Sequence, residues 1–267
     1  MKKIRMRENH LIATVRLISI MLESIAAMIF GLMLLSTISG MLGLGVAFAA
    51  IPFLSIFFAD LVRGIQPMAL LLNGFTALFS AVGFSKSGFV DWRKAAPLAI
   101  VTTLSEPIGS ILVLKVPQLY VWFIYFASVL YLAYRLFKPV KATASKERYK
   151  LALILAVPIS ILAGFLGVGP GFLLMPTLII AGLEPKKAAG INAVAVCPPS
   201  FSALIPRLGN ISMDLQLTAI LLITSTIASY GGARITSKYV PSILLKKLFG
   251  LLIVVMTLYR IFSLVGF

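Results

Sequence analysis

The chain has 267 residues, of which 60% are hydrophobic and only 12% charged, and its mean hydropathy is +1.04. A soluble protein usually carries about 25% charged residues, so this composition excludes an ordinary water-soluble domain. The net charge of +16 would suggest a nucleic-acid partner in a soluble protein. Here the basic residues lie in short segments between apolar runs, where they are expected to set topology and to contact anionic lipid headgroups. No nucleic-acid-binding pattern is present.

The apolar runs predict an all-α polytopic protein of the cell membrane, with four spanning helices and one short segment in each half. A helix needs about 20 residues to cross the bilayer. In chain order, the segments of the first half are 11–39, 45–59, 67–84, 93–114 and 119–137. Those of the second half are 150–166, 171–182, 187–206, 214–236 and 243–264. The short segments are either re-entrant half-helices, giving eight spans, or tilted helices, giving ten.

An internal repeat relates the two halves. Gly40–Gly45, followed by Pro52, aligns with Gly164–Gly169, followed by Pro176, at a shift of 124 residues. Further matched pairs are Asn73 with Asn192, Lys86 with Arg207, Asp91 with Asp214, and Gly109 with Gly232. The sequence therefore predicts a first transmembrane repeat at 1–137, a basic surface linker at 138–150 and a second repeat at 151–267. An odd number of crossings per half would make the repeats inverted, and an even number would make them parallel.

Each repeat carries a glycine cluster directly before its short segment: Gly43 and Gly45 in the first, and Gly167, Gly169 and Gly171 in the second. Glycine permits the dihedral angles of a helix break and a close approach of a ligand to the backbone. A helix that restarts after such a break presents unpaired N–H groups and the positive end of its dipole. Two such starts predict an anion site between the halves. The competing interpretation is that these glycines only allow close helix packing.

The two glycine segments resemble a known signature. Gly43–Pro52 and Gly167–Pro176 look like the duplicated G-x-G-G-G…P pattern of the TauE/SafE family, and Gly88–Trp92 resembles its G-N-V-D-W turn. The departures from the pattern are Val46 and Ala47 in the first copy and Pro170 in the second. The resemblance implies a transporter of sulfite, sulfoacetate, sulfonates or related organic anions that does not hydrolyse ATP.

Polar side chains at equivalent positions of the two halves are candidates for contacting the anion. Asn73 and Asn192 lie within apolar runs, where an amide can donate to an anion. Lys86 and Arg207 each precede a glycine by two residues, and Arg207 offers a planar bidentate fork. Two alternatives stay open: the amides can instead join helices, and the basic side chains can reach the membrane interface.

Two acidic residues are candidates for coupling transport to a proton or another cation. Glu106 lies within an apolar span directly before Pro107, where a helix break is expected. An ionisable residue inside a membrane segment is a functional candidate by default. Glu23, in the first helix, is the second candidate.

The sequence excludes most enzyme chemistry. The only histidine, His10, lies in the polar N-terminal segment, and no cluster of His, Cys, Asp or Glu has metal-ligand spacing. No G-x-S-x-G motif and no phosphate-binding loop occur, so we expect no cofactor and no ATPase. The prediction is a secondary transporter that binds a small anion between its repeats. An anion channel and a non-transporting subunit of a membrane complex are the alternatives, and homo-oligomer formation is left open.

Overall fold

The computed structural model describes residues 2–137 and 147–241, together with the single positions 244, 251 and 255. Most of the predicted linker and of the predicted segment 243–264 lies outside these residues. The described helices are α1 (Lys2–Leu42), α2 (Ala47–Leu54), α3 (Gln66–Ser85), α4 (Trp92–Val113), α5 (Gln118–Phe137), α6 (Tyr149–Leu166), α7 (Gly171–Ile180), α8 (Pro185–Leu204) and α9 (Leu215–Tyr239). A π-helical turn, Leu61–Ile65, precedes α3, and a 3₁₀ turn, Ile205–Asn210, follows α8.

Six helical stretches among the described residues are long and apolar enough to span a membrane. They are Met21–Leu42, Leu61–Ser85, Trp92–Val113, Tyr149–Leu166, Pro185–Gly209 and Leu215–Tyr239. The prediction of an all-α polytopic membrane protein is confirmed. Helices α2 and α7 have 8 and 10 residues. At 1.5 Å per residue they reach about 12 and 15 Å, roughly half of the hydrocarbon core.

Helix α3 lies at the centre of the described bundle and packs against both α8 and α9. It is antiparallel to α8, because Gln66 at its start binds Arg207 while Asn73 in its middle binds Ser200. It is parallel to α9. The Ser212 N–H before α9 donates to the Arg63 carbonyl before α3, at 3.0 Å. At the other end of both helices, Arg234 Nη1 donates to Ser87 Oγ, also at 3.0 Å.

The α4 helix is parallel to α6, because their starts are joined by the ion pair of Lys94 with Glu147 and their later turns meet at Gly109 and Phe165. Each short helix folds back along the helix before it. A Cβ atom on Gly31 of α1 would lie 2.2 Å from the Phe53 ring of α2, so the end of α2 lies against the middle of the stretch Met21–Leu42. The Arg148 N–H, before α6, donates to the Ala181 carbonyl, after α7, at 2.8 Å, so α7 returns the chain to the end of the bundle where α6 begins.

These directions bear on the predicted symmetry. Helices α1, α3 and α9 run one way, and α4, α6 and α8 run the other way. Under the proposed correspondence, α3 pairs with α8 and α4 with α9, so equivalent helices run in opposite directions. The α1–α9 and α4–α6 contacts are also equivalent under it. This is the arrangement of an inverted repeat, and the duplication itself stays a prediction.

The expected helix break before Pro107 is wrong, because α4 continues to Val113. Proline removes the N–H that would bond the carbonyl four residues earlier. That carbonyl, of Thr103, instead accepts the Ser202 hydroxyl at 2.9 Å. Neighbouring helices satisfy two other such carbonyls: Ala195, four before Pro199, accepts from Thr102 at 2.8 Å, and Phe48, four before Pro52, accepts from Tyr125 at 2.7 Å. Side chains that replace lost backbone bonds let proline persist in membrane helices.

Close glycine contacts join the outer helix pairs. A Cβ atom on Gly40 of α1 would lie 2.3 Å from the Ser229 carbonyl oxygen of α9. The same atom on Gly164 of α6 would lie 2.0 Å from the Glu106 carbonyl oxygen of α4. Real Cβ atoms do not come so close, so only glycine allows either pair of backbones to pack at this distance.

Candidate functional site

Two helix breaks lie at the two predicted glycine clusters. Helix α1 ends at Leu42 and α6 ends at Leu166, and in each case the next helix begins five residues later. The φ angles are 63° at Gly43, 72° at Gly45, 70° at Gly167 and 71° at Gly169. This left-handed region is accessible to glycine without steric cost. A glycine-rich turn of the same conformation therefore interrupts the helix once in each half.

The two breaks meet at Asn73, in the middle of α3. A Cβ atom on Gly45 would lie 2.2 Å from Asn73 Oδ1, and one on Gly169 would lie 2.2 Å from Asn73 Nδ2. The side chain is fully buried. Its Oδ1 accepts the Ala47 N–H at 2.9 Å, and its Nδ2 donates to Ser200 Oγ at 2.8 Å. One amide thus contacts both breaks and bonds the start of α2.

Asn192 on α8 makes a second link between the breaks. Its Nδ2 donates to the Gly43 carbonyl at 2.7 Å and to the Gly171 carbonyl at 3.3 Å. Its Oδ1 is buried and accepts no hydrogen bond from a described residue. A Cβ atom on Gly171 would lie 2.5 Å from the Leu44 carbonyl oxygen, so the two breaks also touch directly. An unsatisfied buried acceptor requires an explanation, and a bound molecule that donates a hydrogen bond is one.

Arg207 lies at the end of α6 rather than at the membrane interface, with 1% of its surface exposed. Its Nη2 donates to the Gly164 carbonyl at 2.6 Å, its Nε donates to Ser110 Oγ at 2.7 Å, and its Nη1 donates to Gln66 Oε1. Gln66 Nε2 in turn donates to the Leu166 carbonyl at 2.9 Å. The guanidinium is a second donor to the Gly164 carbonyl, which also accepts the Gly167 N–H at 3.3 Å, and Gln66 satisfies the Leu166 carbonyl. A cation is favourable at a helix C-terminus.

Glu106 is fully buried on α4, beside this cluster. Neither carboxylate oxygen has a hydrogen-bond partner among the described residues. A Cβ atom on Gly164 would lie 2.9 Å from Glu106 Cγ, and the carbonyl of the same glycine binds Arg207, which places the two charged side chains beside one another. Among the described residues, the ion pairs within 4 Å are those of Lys94, so Glu106 and Arg207 are neighbours without a direct bond. An unpaired buried carboxyl group is costly, which makes Glu106 the least satisfied group in the described membrane region.

Two predicted residues lie away from this junction. Lys86 is exposed at the end of α3, with its Nζ 5.8 Å from the centre of the Tyr230 ring. It is 13 residues from Asn73, about 20 Å along the helix. Glu23 is exposed on α1 and accepts the Ser19 hydroxyl at 3.2 Å. The structure brings together the glycines, both asparagines, Arg207 and Glu106, but not these two.

The sequence interpretation named Asn73 but missed Gln66, Thr76 and Ser80, which share its polar face of α3. Gln66, Asn73, Thr76 and Ser80 are all fully buried. Their spacings of seven, three and four residues place them on one face of the helix. Gln66 binds Arg207, Thr76 accepts the Val46 N–H at 3.2 Å, and Ser80 donates to the Gly40 carbonyl at 2.9 Å. This periodicity within an apolar segment was the signal that could have identified them.

The described residues form no candidate metal site. Within the described residues, no group of three or more His, Cys, Asp or Glu side chains is placed to hold a metal ion. What the described junction offers is hydrogen-bonding groups, helix ends and one cation beside one carboxyl group.

Comparison with known families agrees with this geometry. A family model described as sulfite exporter TauE/SafE matches residues 27–260, which is most of the chain and includes both glycine breaks. No curated protein and no solved structure matches. The chain belongs to the TauE/SafE sulfite exporter family, a family of integral membrane transporters rather than enzymes.

Proposed function

We propose that this protein is a secondary transporter of small sulfur-containing or organic anions, such as sulfite, sulfoacetate or other sulfonates. The observation that supports this most is the junction at Asn73, where both helix breaks contact one amide in the middle of the central helix. Secondary transporters commonly bind substrate at broken helices near the bilayer midplane, between two structural repeats.

The anion would bind at the start of α2. In the present structure the Val46 N–H donates to Thr76 Oγ1 and the Ala47 N–H donates to Asn73 Oδ1. In the proposed bound state, oxygens of the sulfite or sulfonate group would replace these two neutral oxygens as hydrogen-bond acceptors. An anion in their place would also interact with the helix dipole, which contributes about 0.3–1 kcal/mol and up to about 2 kcal/mol when partly buried. Asn73, which uses one of its two amide N–H groups for Ser200, would then donate the other to the anion. Asn192 would have to release Gly43 or Gly171 in order to donate.

Arg207 supplies the positive charge that a buried anion requires. Three of the five guanidinium N–H groups are used by Ser110, Gln66 and Gly164. Two N–H groups are left to donate to a substrate. Arg207 binds Gln66, seven residues or about 10 Å along α3 from Asn73. Because an unpaired charge is very costly away from water, a buried cation at this distance favours an anion over a neutral solute. Lys86 lies too far along α3 for this role.

Glu106 is the proposed coupling group. It is buried beside Arg207, and neither of its oxygens is hydrogen-bonded to a described residue. A proton or another small cation taken up by this carboxyl group would change the charge next to Arg207 and thereby the affinity for the anion. Glu23, which is exposed on α1, has no such neighbour in the described part of the chain.

Uptake by purified protein in proteoliposomes tests the proposal. We expect saturable uptake of labelled sulfite or sulfoacetate, competed by related anions. Asn73→Ala should reduce uptake at least tenfold, while Gln216→Ala, which removes an exposed amide at the start of α9, should not. Flux that rises linearly without saturation would favour an anion channel. Folded protein that carries no sulfur anion would refute the substrate class and favour a subunit of a larger complex.

A further inference from the structure

A cavity of about 470 Å³ opens at the end of the bundle where α3 begins. Its lining includes Asp60 and Arg63 from the turn before α3, Val113 from the end of α4, and Val116 and Gln118 before and in α5. The volume falls in the range of small-molecule sites, about 300–1,000 Å³. A cavity bounded by the starts and ends of three helices is accessible from outside the bundle, unlike the junction at Asn73.

The polar groups of this cavity are unequally engaged. Asp60 Oδ1 accepts the Arg63 backbone N–H at 2.9 Å, and Gln118 bonds the backbone at Leu61 and Ala59. The Arg63 guanidinium is exposed and makes no hydrogen bond or ion pair to any described residue. Lys115, which is exposed and lies in the chain between the lining residues Leu114 and Val116, makes no ion pair with a described residue. Arg63 is thus a free cation in the lining and Lys115 a free cation next to it, and the one carboxylate of the lining already caps a helix.

The cavity lies one helical turn from the buried Arg207 cluster. Gln66 follows Arg63 by three residues, and Ser110 precedes Val113 by three residues. Both Gln66 and Ser110 bind the Arg207 guanidinium. An anion at Arg63 would therefore be separated from the next cation by about one turn of α3 and of α4, roughly 5 Å along each axis.

We propose that this cavity is a second anion site, which binds a small sulfonate or sulfite at Arg63 and Lys115 before it reaches the buried junction. The proposal rests on the proposed transport function for its biological role. The binding itself requires only the geometry of the cavity. The same two cations could bind the phosphate of a lipid headgroup, so the experiments must separate a soluble anion from a lipid.

Cysteine protection tests binding without requiring transport. Val116→Cys is placed in a Cys197→Ser background, which removes the single native cysteine. Sulfoacetate should slow labelling of this cysteine by N-ethylmaleimide at least threefold. Adding Arg63→Gln should abolish the protection, whereas Arg93→Gln, which removes an exposed cation at the start of α4, should leave it intact. Equal labelling rates with and without sulfoacetate would overturn the proposal.

The lipid arm repeats the labelling in vesicles of phosphatidylcholine alone and of phosphatidylcholine with phosphatidylglycerol. For a soluble-anion site, sulfoacetate protection persists in both membranes. Protection by phosphatidylglycerol alone, with no effect of sulfoacetate, would assign the cavity to lipid headgroups and overturn the proposal.

Transport kinetics give an independent measurement. Arg63→Gln should raise the KM for sulfoacetate about tenfold and leave the maximal rate within about twofold, because the buried junction is unchanged. Arg93→Gln should change neither. If wild-type protein shows no flux but sulfoacetate still protects the cysteine, the transport function fails and the cavity site stands. Saturable flux with an unchanged KM in Arg63→Gln and no protection would remove the cavity site alone.

Discussion

The two helix breaks have matching backbones but different surroundings. The glycines of both breaks have φ angles within ten degrees of one another, from 63° to 72°. At the first break, the Gly40 carbonyl accepts a serine hydroxyl, from Ser80. At the second, the equivalent Gly164 carbonyl accepts a guanidinium N–H, from Arg207. The first break is therefore capped by a neutral group and the second by a cation.

The helix packed against each break shows the same difference between a neutral and a charged side chain. Ser229 of α9 packs against Gly40, and its hydroxyl donates to the Thr76 carbonyl at 2.8 Å. Glu106 of α4 packs against Gly164, and its carboxyl group has no hydrogen-bond partner in the described part of the chain. The two breaks have similar backbone geometry but different neighbours. The first has two neutral serines whose hydrogen bonds are satisfied, and the second has a cation and an unsatisfied carboxyl group. We infer that the first break supplies neutral hydrogen-bonding groups to the anion and that the second supplies the charge.

The largest expected effect comes from removing the cation. Arg207→Ala removes the donor to Gln66 Oε1 and Ser110 Oγ, leaves the Gly164 carbonyl with only the Gly167 N–H, and leaves Glu106 without its charged neighbour. We expect a loss of about 3–5 kcal/mol of stability, the range for breaking a buried charged arrangement. Ser80→Ala, the matched change at the first break, should cost about 0.5–1.5 kcal/mol, since the Gly40 carbonyl keeps the Gly43 N–H and loses one hydrogen bond. Unfolding midpoints in detergent measure both.

A second substitution separates charge from packing in this comparison. Glu106→Gln in the Arg207→Ala background removes the carboxyl group that the first change leaves alone. It should restore at least about 1 kcal/mol of the lost stability. A double variant no more stable than Arg207→Ala would show that the two charges do not interact and that the second break differs from the first only in hydrogen bonding.

The close contacts are expected to be equally important on both sides. Gly40→Ala and Gly164→Ala each place a methyl group within 2.3 Å of a backbone oxygen on the facing helix. Either change should cost about 1–3 kcal/mol through forced separation of the helices. Gly231→Ala has no atom within 4 Å of its new methyl group and serves as the control. A tolerated Gly40→Ala beside a damaging Gly164→Ala would show that the two crossings are not equivalent.

The breaks themselves could be predicted from the sequence because they depend on local chemistry. Gly43 and Gly167 reach left-handed φ values that other residues rarely adopt, and the apolar runs on either side have helical length. The capping groups could not be predicted, because Arg207 reaches Gly164 across 43 residues of sequence and Ser80 reaches Gly40 across 40. Which helix lies beside a break is decided by tertiary packing.

Two other predictions show where sequence equivalence stops being informative. Lys86 and Arg207 occupy matched positions, yet one is exposed and the other buried, because the neighbouring acceptors of Arg207 belong to three other elements. Pro107 predicted a break, yet α4 continues because Ser202 on another helix bonds the freed carbonyl. In both cases the deciding atom lies on a helix that no local pattern identifies.

Coupling gives the next comparison, between Glu106 and Ser229. Glu106→Gln keeps the shape of the side chain but cannot take up a proton. Accumulation driven by a proton gradient should fall about tenfold, while exchange of labelled for unlabelled anion persists. Ser229→Ala should leave the response to the gradient unchanged. The measurement is uptake with and without an imposed gradient, and a Glu106→Gln protein that still accumulates anion would assign coupling to another group.

The smallest effect is expected at Lys86, and it tests whether matched positions share a role. Its ammonium group is exposed and lies over the Tyr230 ring, about 20 Å along α3 from Asn73. Lys86→Gln should change the KM for sulfoacetate by less than about twofold, because an exposed charge at that distance is largely screened at physiological salt. Arg207→Lys, which keeps the charge but loses the planar fork, should raise it about tenfold. Equal increases in both variants would place Lys86 on the anion's route and would make the two halves functionally alike, against the asymmetry inferred from the two breaks.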